Sequence, residues 1–407
     1  MNADCEPPGP GLPLWVPQSP SFHVVGVSHH TATVEERERF AFSRAETLAL
    51  LESQRQAGRS GLLLSTCNRC ELYWSGDGDG EAWFGDLARA RGVAPPTSLT
   101  RYDGIAAVRH LFTVTAGLDS QILGETEILG QVRRAYDAAR AAGTTTRDMD
   151  AILSAALSAG RRVRRETPLG RHPASVSSAA VDLIVERWGD IGSRVVLVLG
   201  AGEAAEGVLR ALQERGAPKV RLLSRHPERA RVLAHAWGAD VGGWEELPSQ
   251  LESADLLLVA TASSRPVVTA AQLAAVRERE LCVIDLAVPR NVDPGARHLT
   301  GIRLFDLDDL QRLCCPAAGT ASAALADAER VIAEEIDRLG STLRGRVAAP
   351  HLAELHRLGL ELAEQESAWA LAQLETLSDG EREIVREMAD RLVRRVLYPV
   401  SRSLRAE

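Results

Sequence analysis

Lysine is nearly absent from this 407-residue sequence: Lys219 is the only one among 47 basic residues, so arginine carries almost all the positive charge. Aromatic residues are sparse too, at 4%. No run approaches the ~18 consecutive apolar residues of a membrane-spanning helix, and no membrane span is expected. No lysine or arginine precedes Arg37, and residues 1–20 are proline-rich without an apolar stretch. A secretory signal needs both features. Cysteine is scarce and scattered, at positions Cys5, Cys67, Cys70, Cys282, Cys314 and Cys315. That usage suits a reducing cytoplasm, the expected location, better than a disulfide scaffold. A net charge of -8 argues against a generic coat for nucleic acid. Local phosphate contact needs only a patch, and 161–171 (RRVRRETPLGR) and 391–405 concentrate arginine.

What is present is ordinary for a globular protein: 45% apolar and 25% charged residues. The length calls for more than one core. Segments "FHVVGVS" (22–28), "GLLLST" (61–66) and "ELYWS" (71–75) read as strands, and "VEERERFAFSRAETLALLESQRQ" as helix. Helical spacing then dominates from about Asp103 to Glu166, which makes an α+β first domain. From Arg194 the rhythm changes. "RVVLVL" (194–199) is wholly apolar, as in a parallel strand buried on both faces. Helices alternate after it with "KVRLL", "DLLLVA" and "LCVIDLA", the pattern of a doubly wound parallel sheet. Beyond Pro316 only helices are expected, with a stop near Pro399 and an apolar stripe facing another helix or subunit. The fold class is α/β multidomain: a disordered tail over 1–20, an α+β domain over 21–170, a Rossmann-like domain over 171–315 and a helical domain over 316–407.

"LGAGEAAEG" sets Gly200, Gly202 and Ala205 at the G-x-G-x-x-G/A spacing between a strand and a helix. The first glycine allows a tight turn, the second lets backbone approach a pyrophosphate, and the small third residue packs helix on strand. Gly200, Ala201, Gly202, Glu203, Ala204 and Ala205 are therefore the expected dinucleotide loop, with helix N–H groups as anion donors. The next strand ends in Leu223-Ser224-Arg225, where an NAD site carries an acid for the ribose hydroxyl. A hydroxyl and a guanidinium suit a 2′-phosphate, so NADPH is the expected cofactor.

"STCNRCELYW" (65–74) places Cys67 and Cys70 three apart beside Arg69. A zinc site needs four ligands, and no second spaced pair supplies them. A redox pair remains open. A single Cys67 thiolate fits better: Arg69 is expected to lower its pKa, and a nucleotide domain suggests acyl transfer followed by hydride delivery.

These residues resemble the glutamyl-tRNA reductase family. "STCNRCELY" is similar to its S-T-C-N-R-x-E-x-Y signature, and "GVSHHTATVEERERFAF" to its first strand and helix. "GLDSQILGETEILGQVRRAY" (117–136) resembles its second signature; "VLGAGEAAE", "ATASSRPVV" and "VIDLAVPRNVDP" resemble its NADPH domain. The resemblance implies a catalytic glutamyl-tRNA-binding domain, an NADPH domain and a helical dimerisation domain. The implied reaction reduces glutamyl-tRNA(Glu) to glutamate-1-semialdehyde through a cysteine thioester, opening 5-aminolevulinate and porphyrin synthesis. It makes Cys67 the nucleophile, Thr66, Asn68, Arg69, Ser120, Glu125, Thr126, Glu127 and Gln131 the glutamyl pocket, and His110 a residue important for activity. It also implies a homodimer, and glutamate-1-semialdehyde aminomutase as a partner. Thr33 stands where the family usually has proline, Glu127 where it has glutamine, and Cys70 where it has no cysteine. Two other readings stay open: a Rossmann dehydrogenase of a small free metabolite, and an inactive tRNA-binding paralogue.

Overall fold

A computed structural model describes residues 21–94, 96, 98–170, 175–217, 219–275, 280–313, 318–374 and 376–406. The expected tail over 1–20 and Cys5, Cys314 and Cys315 lie outside the described residues. One compact unit spans Phe22–Ile336, and Asp337–Glu407 belongs to another.

The first unit opens with β1 (Phe22–Ser28), α1 (Val34–Arg39), α2 (Arg44–Gln56), β2 (Gly61–Ser65), β3 (Arg69–Ser75), α3 (Gly80–Ala90) and β4 (Thr100–Asp103). Three helices follow: α4 (Ile105–Thr115), α5 (Glu127–Ala142) and α6 (Arg147–Glu166). The four strands pair antiparallel in the order β2-β3-β1-β4. Where the sequence reads as one helix over 34–56, there are two. The first ends at Arg39, and Ser43 starts the second: its hydroxyl accepts from the Glu46 N–H, and the Glu46 carboxylate accepts from the Ser43 N–H at 2.7 Å. This reciprocal cap satisfies N–H groups that a helix start leaves unpaired. Thr33, at the usual proline position, makes the same cap with Glu36 on α1.

The chain continues through α7 (Val176–Trp188), β5 (Val196–Leu199), α8 (Glu203–Glu214), β6 (Val220–Leu223), α9 (Pro227–Trp237), β7 (Asp240–Gly242), α10 (Leu247–Ser253) and β8 (Leu256–Val259). It then forms α11 (Ala270–Ala274), β9 (Leu281–Asp285), β10 (Ile302–Phe305) and α12 (Leu307–Leu313). Its six strands are all parallel, ordered β10-β9-β8-β5-β6-β7. Counted from β5 this is the 3-2-1-4-5-6 arrangement, whose direction reverses between β5 and β8. Val196 and Val198 enter the core on one face, and Leu197 and Leu199 that on the other, which is why the run shows no polar alternation.

The two parts of this unit are pinned together at α1. Glu38 accepts from the Arg290 backbone N–H and from its guanidinium at 2.8 Å. Arg37, only 3% exposed, donates to Asp308 at 2.8 Å, and the Val34 N–H donates to the same carboxylate.

Helix α13 spans Ala318–Gln373, and α14 spans Asp379–Ala406. Within the unit that holds 337–407, Gly359 of α13 faces Val393 and Leu397 of α14, where a Cβ would meet Val393 Cγ1 at 2.8 Å. Pro399 does not stop α14, contrary to the expected break; the helix runs on to Ala406. A proline inside a helix forfeits only its own N–H bond and a local fit, which neighbouring turns absorb at a cost. Among the described residues no helix is long and apolar enough to cross a membrane.

Candidate active site

Cys67 sits in the turn between β2 and β3. The Thr66 hydroxyl accepts from the N–H groups of Asn68 (3.1 Å) and Arg69 (3.2 Å), and the Thr66 N–H donates to the Arg69 carbonyl at 2.8 Å. Small polar side chains that bind nearby backbone in this way favour turns over continued strand. The turn places Cys67 half-buried against the apolar core of the parallel-sheet part. Cys70, one strand position beyond Arg69, is 3% exposed and faces a different core with Val25, Leu72 and Phe84. Both thiols are free.

A cavity of about 450 Å³ joins Cys67, Glu127 and Gln131 to the loop Gly200–Ala204, with Ser224 and Arg225 also on its wall. The loop fits a dinucleotide. Gly200 has φ +118° and lies so close to β8 that a Cβ would meet the Ala260 carbonyl oxygen at 2.2 Å. Nothing stands within 4 Å of where a Cβ of Gly202 would be, and α8 begins there without a side-chain cap, so its N–H groups are free to meet an anion. Ala205, on that helix, is fully buried. The sequence reading missed His226, Arg229, Trp244 and Thr261, which line the same cavity. Arg229 follows Arg225 by four residues, a helical spacing that could have revealed it.

The remaining expected residues stand behind this wall. Arg69 is 1% exposed, and its Nη1 donates to Glu71 and Asp119, each at 2.9 Å, while Nη2 donates to the Asp119 carbonyl. The Tyr73 hydroxyl donates to Glu71 at 2.6 Å, and His110 Nε2 lies 2.9 Å from the same carboxylate. His110 stacks on Tyr102 at 4.7 Å and does not line the cavity. Burial alone would push Glu71 up; Arg69, His110 and Tyr73 overcome it and hold the carboxyl at about 2. Asp119 also meets His30 at 2.8 Å, so one polar chain runs from His30 through Asp119, Arg69 and Glu71 to His110.

Two expectations fail here. Arg69 does not lower the Cys67 pKa. Burial pushes that thiol up to about 12, Glu125 and Glu127 push further, and Arg37 and a backbone hydrogen bond oppose them. Nor is the Arg69 fork open to a substrate carboxylate, because Glu71 and Asp119 occupy it. Glu71, two residues on, shares the strand face of Arg69 and was readable from the strand period, whereas Asp119 comes from fifty residues away, beyond the reach of a local motif.

Glu125 is 2% exposed. Burial raises its carboxyl to about 7, with Glu127 adding, while the Ser120 hydroxyl, Arg69 and Arg164 pull the other way. Glu127 is raised by burial and by Glu203, and Arg210 and Arg134 moderate it. Thr126 immediately precedes α5 without a side-chain cap bond, and its carbonyl accepts from Arg164 at 2.7 Å. The buried Asn68 Oδ1 has no hydrogen-bond partner. The arginine stretch expected to meet phosphate is largely committed within the protein: Arg162 to Glu166, Glu334 and Glu335, Arg164 to two carbonyls, Arg165 to Glu166.

A protonated resting thiol has a direct consequence. Iodoacetamide at pH 7.5 is expected to alkylate Cys67 at least ~10-fold more slowly than free cysteine, since only the thiolate reacts. Peptide mass spectrometry over time reads this; labelling as fast as free cysteine would contradict the raised pKa.

Comparison with known proteins gives the family. Residues 25–167 match the profile described as glutamyl-tRNAGlu reductase, N-terminal domain. Residues 182–313 match shikimate / quinate 5-dehydrogenase, and 327–407 match glutamyl-tRNAGlu reductase, dimerisation domain. The chain is 36% identical over 391 residues to glutamyl-tRNA reductase 2 of Anaeromyxobacter dehalogenans, covering 93% of this chain and 86% of the relative. It is 42% identical over 327 residues to glutamyl-tRNA reductase of Deinococcus radiodurans, covering 79% and 91%. Among solved structures, glutamyl-tRNA reductase from Methanopyrus kandleri is 30% identical, with 95% of this chain and 98% of that chain covered and a TM-score of 0.46. The likeness to these relatives runs through both reductase domains and nearly the whole length: the chain belongs to the glutamyl-tRNA reductase family.

Proposed function

We propose that this protein reduces glutamyl-tRNA(Glu) to glutamate-1-semialdehyde with NADPH, the entry to tetrapyrrole synthesis. The observation that carries the reading is the shared cavity that sets the Cys67 thiol beside the Gly200–Ala204 loop. Cys67 attacks the ester carbonyl that joins glutamate to the tRNA ribose, the ribose oxygen leaves with a proton, and a thioester forms on the protein. A thioester accepts hydride more readily than a carboxylate, so the nucleophile divides a hard reduction into easier steps. The chemistry that a reduced nicotinamide supplies at this place is hydride donation to the thioester carbon. Cys67 must lose its proton at attack; among the groups it feels, Glu125 titrates at about 7 and is suited to take it. Glu127 and Gln131 reach the cavity from α5 and orient the glutamyl part. Thr66, Asn68, Ser120 and Thr126 stand behind the wall and support it, and Arg69 and His110 position it through Glu71.

The domains divide this work as 21–170 for glutamyl-tRNA, 171–315 for NADPH and 316–407 for pairing. Ile384, Met388, Leu392 and Val396 recur every four residues on α14, each more than half exposed, which supports a homodimer. The reactive aldehyde makes glutamate-1-semialdehyde aminomutase the fitting partner, and the cytoplasm the fitting location.

Ser224, Arg225 and Arg229 on the cavity wall support NADPH over NADH. Incubation with glutamyl-tRNA should yield aldehyde with at least tenfold higher kcat/KM for NADPH, and Arg225→Asp should erase most of that preference by repelling the 2′-phosphate. Absence of aldehyde would overturn the activity; equal kcat/KM for both nucleotides would overturn the cofactor.

A further inference from the structure

A second, larger cavity of about 640 Å³ lies between α2 and α5, beside the edge strand β2. Phe42, one face of whose ring Arg91 covers at 4.7 Å, Leu48 and Leu63 give it apolar walls, and Arg44 and Arg134 give it positive charge. Leu48 is 43% exposed. Two features tie this cavity to the nucleophile. Gln131 lines both cavities, and Ser65, on the wall of the second, precedes Cys67 by two residues.

We propose that this cavity receives the 3′-terminal nucleoside of the tRNA substrate, with the base against Phe42 and Leu48 and the phosphates at Arg44 and Arg134. The inference rests on the reading that Cys67 attacks an aminoacyl ester of tRNA. In such an ester the ribose oxygen is bonded to the very carbon under attack, so the nucleoside must occupy space that adjoins Cys67. The first cavity is lined on its other side by the dinucleotide loop. The second cavity, past Gln131, offers space for the leaving group. Its volume lies in the ~300–1,000 Å³ range of small-ligand sites. An apolar stacking wall beside arginines is the arrangement that holds unpaired nucleotides without needing base-edge hydrogen bonds. The charge is not uniform: Asp137 is on the wall, 3.6 Å from Arg133, and Arg134 also reaches Glu203 at 2.9 Å. Arg44 is exposed.

The test uses the full chain with Leu48→Asp and, separately, Arg44→Glu. Two substrates are compared: glutamyl-tRNA, and the para-nitrophenyl ester of glutamate, which carries no nucleoside. The trinucleotide CCA serves as competitor and as a ligand in direct titration. Each variant should raise KM for glutamyl-tRNA by about tenfold, weaken CCA to a similar degree, and leave nitrophenol release unchanged. Unchanged KM and unchanged CCA binding would overturn the assignment and give the groove to another occupant, such as an extended peptide pairing with β2. Equal losses on both substrates would also overturn it, as damage around Cys67. If the unmutated chain reduces no glutamyl-tRNA but still binds CCA through Leu48 and Arg44, the proposed activity fails while the nucleoside site stands.

Discussion

Cys67→Ser is expected to abolish aldehyde formation from glutamyl-tRNA, with a loss of at least ~1,000-fold, whereas Cys70→Ser should keep most activity. A serine hydroxyl is a far weaker nucleophile than a thiolate, and a carboxylate such as Glu125 is too weak a base to activate a hydroxyl. Cys70 faces the apolar core with Leu72 and Phe84, and burial pushes its thiol far up, so it has neither access nor charge for chemistry. The same pair separates the half-reactions. Without nucleotide, the unmutated protein should slowly release glutamate as water attacks the thioester; Cys67→Ser should lose this too, and Cys70→Ser should retain it. Acid-quenched assays of both variants, with circular dichroism as a check on folding, decide the matter. Loss in both variants, with both folded, would restore the reading of a working cysteine pair.

Glu71→Leu carries the largest expected cost to stability, about 3 kcal/mol, because it leaves Arg69 buried with half its compensation. Arg69 is 1% and Glu71 2% exposed at the side chain, so water cannot replace the lost partner. An exposed pair would contribute ~1 kcal/mol or less. The pH dependence gives an independent signature. Glu71 is held at about 2 against an ordinary 4.5, so it binds fewer protons folded than unfolded between these values. Its contribution is complete above about 4.5 and is lost as pH falls through about 2. Urea titrations at pH 7 and at pH 3 should therefore show a smaller difference between Glu71→Leu and the parent at the lower pH. A pH 7 cost under about 1 kcal/mol would show that the polar chain adds little.

The parallel sheet was legible because its central strands are buried on both faces and written in apolar residues alone. β4, β7 and β10 were not: β4 and β7 expose most of their residues, and β10 buries only Ile302, so none shows the continuous apolar run of β5 and β8. The glycine loop was legible because its spacing follows from backbone geometry. Cys67 was legible as the break between two strand runs, yet its electrostatics were read wrongly. Proximity in sequence put Arg69 beside the thiol, while the strand turned the guanidinium toward Asp119 and Glu71. Asp119 lies inside a quoted motif and still escaped notice, since its partner is visible only after folding. The α1 break was readable in principle from Ser43 and Glu46, a spacing masked by the continuous helical periodicity around it.

The pins on α1 have a mechanical meaning. Arg37, Glu38, Arg290 and Asp308 are joined by charge and hydrogen bonds, and water can satisfy each of them when parted. A seam closed by grease would cost exposed apolar surface every time it opened. A seam held by ions exchanges one set of polar neighbours for another when parted, so the α1 contacts resist separation less than an apolar contact of equal area would, and the apolar share of the seam rests on Ile122 and Cys67.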